Sequence, residues 1–365
     1  MMLTDCNLTL DVDRTNLFEQ KLQQMINQGG LCLMISIGHR TGLFEVMGSM
    51  DCASSQEISE RAGLWEGYVR DWLAAMVSGG IIEYDEMFKT YRLPSEHAAL
   101  LTRASGLKNY ATDVQWFSIF GKMEDDIIRC FREGGAISES VFADLQSKLA
   151  AEKTESNLNG LFKYVLPLVP SLIMQLCEGL DVLDLGCGGG ETLLELSQAF
   201  PQSRFVGYDP SPEQIEKACR TAEERGIDNV SFFQRDLDQI HAIDAFDLIT
   251  AFDVMHDQVY PFQVLDEVYA ALRPDGIFLM QDIASSNRAE LNLENPLAPL
   301  LYTISCMRSM AQQTETSADR ISWGEAPAYQ TLESVGFEKI EVHALPHDVL
   351  SCFYVATKPM CSADR

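Results

Sequence analysis

The stretch Val182–Gly190, VLDLGCGGG, constrains the fold more than any other part of the chain. An apolar run meets an acid, Asp184, and then a loop in which only Cys187 interrupts the glycines. GETLLELSQAF follows with helical spacing, so the stretch reads as a buried strand, a tight turn and a helix start. The same alternation continues downstream. RFVGYD, VSFFQRD, FDLITAFDV and GIFLMQDI read as strands, with helical patterns around PEQIEKACRTAEERG, PFQVLDEVYAAL and APAYQTLESVG between or after them. Strands alternating with helices predict an α/β domain with an open, mainly parallel sheet covered on both faces. FEKIEVHAL and CFYVATK, joined by PHDVLS, suit an antiparallel hairpin at the sheet edge.

Glycine loops after strands often hold phosphates, but the acids around this one point elsewhere. A dinucleotide fingerprint needs a third glycine where Glu191 stands, and the pattern is instead Asp184-x-Gly186-x-Gly188-x-Gly190. Carboxylates at Asp184 and Glu191 oppose a pyrophosphate and suit an ammonium or a sulfonium. Asp209 ends the next strand, where a carboxylate can accept both hydroxyls of a ribose. Asp236 ends the third, where it can accept from an adenine amino group while Leu237 covers the ring. Helix capping is the plainer reading of Asp209 and Asp236, but three acids at three successive strand ends form one coherent site.

The region before this domain has a different grammar. Residues 15–50 have helical spacing, Ser54 or Ser55 can cap a short helix with Glu57 behind it, and Gly63 ends it. A further helix over 66–77 presents Tyr68, Val69, Trp72, Leu73, Met76 and Val77, and IIEYDEMFKTYRL reads as two short strands around a turn. Helices followed by a hairpin predict a winged helix. Residues 51–105 hold nine acids against five bases, the wrong balance for a phosphate backbone, so association is expected here rather than DNA contact. Residues 106–172 look mostly helical, as a bridge or one wall of a substrate cavity. The expected domains are therefore 1–105, 106–172 and 173–365.

Composition narrows the class. The formal net charge is −27, which opposes nucleic acid overall. Ten cysteines occur without a C-x-x-C pair, as expected for reduced thiols of a cytoplasmic protein. Neither a secretory signal nor a membrane span is expected, since no apolar run approaches the ~20 residues needed.

The ordered set LDLGCGGG, VGYDPS, RDLDQI, AFDVMHD and LRPDGIFLMQDI resembles the class I S-adenosylmethionine-dependent methyltransferases over roughly 181–358. CLMISIGHRTGLFEVM, QEISERAGL and LAAMVSGGIIEYDEMFKTYRLPSEHAALL resemble the winged-helix dimerisation domain of small-molecule O-methyltransferases. The resemblance implies a Rossmann-like class I sheet, S-adenosyl-L-methionine as cofactor, a small-molecule methyl acceptor and a homodimer. It implies that Gly186, Gly188 and Gly190 give close backbone access to the methionine part and ribose. Asp184 helps hold the amino group, Asp209 the ribose with Pro210 or Ser211 beside it, and Asp236 and Leu237 frame the adenine. Phe252 offers its carbonyl to the cofactor amine, with Asp253 nearby. The alternative is a cofactor-binding winged-helix transcriptional regulator with little catalysis.

Methyl transfer relies mostly on alignment and exclusion of water. A general base is needed only when the nucleophile arrives protonated. His256 follows the fourth strand of the sheet, at the correct edge, and His347 lies in the terminal hairpin loop; both are candidates. Asp253, Asp282 and Asn287 could together hold magnesium, though no tight spacing supports it. Leu291–Met310 looks like an inserted helical lid bearing Tyr302, Met307 and Met310, and Trp323 could line the same cavity.

Overall fold

The computed structural model describes residues 10–103, 109–135, 158, 160–258, 260–284, 288–311 and 324–360, the side chains of 257 and 307–311 excepted. The chain divides into two compact units, 1–125 and 126–365.

In the first unit a long helix, Val12–Arg40, starts where the Asp11 carboxylate accepts the Arg14 N–H. Its final turns pack inward, and the Trp72 indole donates to the Met34 carbonyl at 2.8 Å. Gly38 is required there, because a Cβ would collide with the Trp72 and Phe44 rings. Ser54, not Ser55, caps helix Ser55–Ala62, in a full capping box with Glu57. Gly63, at φ 67°, ends it. Helix Glu66–Ser78 then buries Val69, Trp72, Leu73 and Met76, as its spacing predicts. Strands β1 (Glu83–Asp85) and β2 (Thr90–Arg92) pair antiparallel and form the wing. At its tip the Asp85 carboxylate accepts the N–H groups of Met87 and Phe88. Helices Ser95–Leu101 and Tyr110–Asp113 follow, and the division between units falls inside helix Gln115–Glu133.

The second unit is built on seven strands: β3 (Asp181–Leu185), β4 (Arg204–Asp209), β5 (Val230–Gln234), β6 (Phe246–Phe252), β7 (Leu272–Ile283), β8 (Glu338–Leu345) and β9 (Asp348–Thr357). Their order across the sheet is β5-β4-β3-β6-β7-β9-β8. The first five run parallel, and β9 and β8 close one edge antiparallel. The terminal hairpin is present as expected, with β9 inside the sheet and β8 at its rim. The third strand of the acid ladder is shorter than its sequence suggests. It ends at Gln234, so Asp236 stands two residues into the loop.

Strand alternation sends side chains to two cores. On one face Leu183, Leu185, Ile249, Phe278, Met280 and Tyr354 pack with helices Pro261–Ala271 and Glu325–Val335. On the other, Val182, Leu248, Leu279, Phe353 and Val355 pack with helix Glu191–Ala199 and with Leu161, Val165, Leu172 and Leu176. Each such fully buried side chain contributes about 1.5–3 kcal/mol. At the amino end of the strands, Asp181 takes both Arg204 and Arg273, and Arg273 also reaches Asp247. This ion-pair network lies opposite the end that carries the acid ladder. Among the described residues no single helix is long and apolar enough to cross a membrane.

Candidate functional site

The carboxyl ends of β3 and β4 bring the first two acids together. Asp184 pairs in register with Gly207 and Thr250, one residue short of the strand end. It is buried, and the Thr250 hydroxyl donates to its Oδ1 at 2.6 Å. Burial pushes its carboxyl up to about 7 and the nearby Asp209 charge adds to this, while the Thr250 bond opposes both. Asp184 is therefore a carboxylate poised near neutrality.

Asp209 is buried too, and both its oxygens are used. Oδ2 accepts the Gly188 N–H at 2.9 Å and Oδ1 accepts the Ser211 N–H at 2.9 Å. A carboxylate has about four lone-pair positions, so acceptor capacity remains for hydroxyl donors. The loop itself turns back on β4, with the N–H groups of Gly186 and Cys187 both meeting the Tyr208 carbonyl. Gly186, Gly188 and Gly190 all have positive φ, 71°, 53° and 77°. Their reasons differ. A Cβ on Gly186 would run into Val254 and one on Gly190 into Phe232, whereas one on Gly188 would meet open space. The loop thus exposes backbone at Gly188, immediately beside Asp209.

Glu191 plays a smaller part than its sequence position suggests. Its carboxylate is held by Lys217 at 2.5 Å, which offsets its charge toward a ligand. Asp236 is exposed and accepts from Gln239, while Leu237 is buried in the core beside Ile240. Pro210 is exposed, and its carbonyl accepts from Gln234. Phe252 closes β6. Asp253 follows at φ 56°, its N–H donating to the Gln281 carbonyl and its Oδ2 accepting from the Gln281 amide.

His256 sits in a short turn after β6 and is buried. Its Nδ1 lies 2.6 Å from Oδ1 of Asp282, which is 1% exposed on β7. Between an imidazole and a carboxylate the imidazole donates, so the pair fixes the tautomer in which Nε2 carries the lone pair. This relationship is the feature that sequence reasoning missed, having placed Asp282 only in a possible magnesium set. Gln281 and Asp282 are consecutive on a strand and point to opposite faces. Asp253 joins the Gln281 side and Asp282 joins His256, so the two carboxylates do not converge on one ion. Asn287 lies outside the described residues.

His347 is elsewhere. Its ring stacks on Tyr164 at 5.1 Å and packs against Phe353, while Gly160 leaves room for it. Phe353 pairs with Gln281 and so occupies the face opposite Asp282. The two histidine candidates therefore belong to different environments. In the proposed lid, helix Ala298–Ala311 is present and the Tyr302 hydroxyl accepts from Asn292 at 2.6 Å. Trp323 and the side chains of Met307 and Met310 lie outside the described residues.

Comparison with known proteins agrees with this architecture. Residues 29–103 match the model of an Rv2258c-like winged HTH domain. Residues 176–346 match the model of a methyltransferase domain. A ubiquinone biosynthesis O-methyltransferase of Actinobacillus pleuropneumoniae is 27% identical over 216 residues, 54% of this chain and 89% of that protein. The apo structure of the S-adenosylmethionine-dependent methyltransferase SibL superposes with a TM-score of 0.66 at 16% identity, over 93% of this chain and 99% of that one. Human N-acetylserotonin methyltransferase in complex with SAM gives 0.62 at 16% identity, over 97% and 99%. At such identities the superpositions show the fold.

Proposed function

We propose that this chain, a class I methyltransferase fold preceded by a winged-helix domain, moves the methyl group of S-adenosylmethionine to a small molecule whose accepting atom arrives protonated. The observation that carries the second half is the buried 2.6 Å contact between His256 and Asp282. The residues also fit the donor. Gly188 leaves open space beside Asp209, and Asp184 and Asp209 stand on neighbouring strand ends. Bound there, S-adenosylmethionine supplies an electrophilic methyl group on a sulfonium.

In this reading Asp209 accepts the ribose hydroxyls while still fixing the loop, and Asp184 and the Phe252 carbonyl face the amino group. Asp236 and Leu237 frame the adenine, with Pro210 and Asp253 at the margins. His256 takes the acceptor's proton on Nε2, and Asp282 holds the ring in place and stabilises the imidazolium. His347, stacked between Tyr164 and Phe353, shapes the hairpin.

Calorimetry with S-adenosylmethionine and S-adenosylhomocysteine tests the donor, and absence of heat with both removes it. A mass-spectrometric search for a molecule retained with S-adenosylhomocysteine identifies the acceptor. His256→Ala is expected to lower turnover by about 10²-fold or more with cofactor affinity unchanged. Equal losses in both would make His256 a cofactor contact.

The winged helix serves association in this reading. Helix Val12–Arg40 exposes Leu17, Phe18, Leu22, Met25, Ile26 and Leu33, a large apolar surface that favours a homodimer. Ile26→Lys should reduce the sedimenting mass by half. DNA contact is disfavoured because Arg70, Arg92 and Arg103 already face Glu66, Glu83 and Glu45. The regulator alternative requires a gel shift with genomic fragments at low salt. The cytoplasm, where its thiols stay reduced, is the compartment this reading assigns.

A further inference from the structure

Gln281 stands in register between Phe252 of β6 and Phe353 of β9, so its amide shares a face of the sheet with two phenyl rings. Packing alone would favour an apolar side chain there. The amide instead joins the end of β6 to the start of β9. Its Nε2 donates to Oδ2 of Asp253 at 3.3 Å, to Oδ2 of Asp348 at 3.1 Å and to Oγ of Ser351 at 3.2 Å. The Ser351 hydroxyl spends its own hydrogen on Asp348 at 2.7 Å, which leaves its oxygen to accept from the amide.

The consequence falls on Asp253. Its φ of 56° is left-handed, a conformation that glycine adopts freely and an L-residue only at a cost. Gln281 grips it twice. The Gln281 main-chain carbonyl accepts the Asp253 N–H at 3.0 Å, and the Gln281 amide holds the Asp253 carboxylate. The peptide joining Phe252 to Asp253 is trans, so its C=O points opposite to its N–H. That N–H points to β7, and the Phe252 carbonyl therefore points to β3, the other neighbour of β6. β3 has already ended at Leu185, and the N–H groups of Gly186 and Cys187 turn away to the Tyr208 carbonyl on β4. The Phe252 carbonyl is thus aimed beside the glycine loop, where β3 no longer extends.

We propose that Gln281 is a positioning residue for the methyl donor: holding Asp253 through both main chain and side chain, it aims the Phe252 carbonyl at the donor's amino group and ties that aim to the terminal hairpin. This rests on the reading in which Asp184 and the Phe252 carbonyl face the amine. Gln281 acts through Asp253 and touches no reacting atom.

The test is calorimetry on the full chain with S-adenosylhomocysteine and with its desamino analogue, which keeps the carboxylate and the nucleoside. Wild type should bind the analogue about tenfold or more weakly. Gln281→Leu should lower affinity for S-adenosylhomocysteine by about tenfold and leave affinity for the analogue unchanged. Asp253→Ala, which leaves β7 intact, should do the same. Asp253→Asn keeps an acceptor oxygen and tolerates the left-handed φ, so it should retain wild-type affinity. Equal affinity of wild type for the two ligands overturns the reading of the amine site itself. Where wild type discriminates, a Gln281→Leu protein that loses neither ligand, or loses both alike, overturns the proposal and leaves the amine site standing. A full loss in Asp253→Asn shows that the Asp253 charge acts rather than the grip of Gln281, and this also overturns the proposal. Should Gln281→Leu fail to fold, the two Asp253 variants decide.

Discussion

The Gly188 N–H donates to Oδ2 of Asp209 at 2.9 Å, so the glycine loop and the end of β4 hold one another. Asp209 does a second task with Oδ1, fixing the Ser211 N–H at the start of helix Pro212–Arg225. Asp209→Ala removes both bonds and, with them, the carboxylate proposed to accept the ribose. It should leave unfolding cooperative, lower the melting temperature and weaken S-adenosylhomocysteine by about 10²-fold or more, roughly 3 kcal/mol. Asp209→Asn keeps one acceptor oxygen and should lose less. Unchanged affinity in Asp209→Ala, measured by calorimetry, would mean that the ribose lies elsewhere.

Asp184 makes both stability and affinity depend on pH. Its carboxyl is raised from 3.8 to about 7 in the folded chain, so between those values the folded state holds more protons than the unfolded one. The stability it contributes is complete below about pH 4 and is lost as pH rises through about 7. Asp184→Asn should flatten that slope in denaturant titrations and make the cofactor-free protein more stable at pH 8. An ammonium prefers the ionised carboxylate, so wild-type affinity for S-adenosylmethionine should rise through the same window. If the affinity profile stays flat across it, Asp184 does not face the amino group.

The placement of the first two candidate acids was legible because strand ends are legible. Asp184 and Asp209 each follow an apolar run and precede a helix pattern, and their strands pair as expected. Boundaries were less secure: Asp236 sits beyond β5, not on it. Faces were not legible, because a one-residue change of register moves a side chain through the sheet. Hence Asp282 was visible as a strand-end acid, but its union with His256 rather than Asp253 was not. Thr250 gave no signal, since a threonine within a buried strand reads simply as a β-former. Lys217 lies on another helix, and its hold on Glu191 is a tertiary contact that spacing does not encode.

The glycines of the loop separate two physical demands. Gly186→Ala meets both a left-handed φ of 71° and a collision with Val254. Gly188→Ala meets only the left-handed φ, 53°, with no atom near its Cβ. The second should cost about 1–2 kcal/mol and the first distinctly more, since Val254 leads directly into the His256 turn. In Gly188→Ala the protein should fold and bind cofactor less well, because the new methyl occupies the open space beside Asp209. Equal melting temperatures for the two variants would show that Val254 yields without cost.

At the far end of the sheet, Asp181 ties β3 to β4 and β7 through Arg204 and Arg273, at 2.6 to 2.8 Å. The Arg204 hydrogen bond is the largest influence holding its carboxyl below the ordinary value of 3.8, and Arg273 adds to it against the opposing effect of burial. A lowered carboxyl stabilises the fold above its unfolded pKa, and that contribution disappears as pH falls through the folded value. Arg204 is largely exposed, which screens its share, whereas Arg273 also holds Asp247 and is more sheltered. Asp181→Asn should therefore cost about 1–2 kcal/mol at pH 7, with the difference from wild type shrinking below about pH 4. Arg273→Met should cost more than Arg204→Met, because it leaves Asp247 without its guanidinium. Neither change should alter affinity for S-adenosylhomocysteine, since the network lies at the opposite strand ends from Asp184 and Asp209. A loss of affinity in Arg204→Met would show that strain at one end of the sheet reaches the glycine loop.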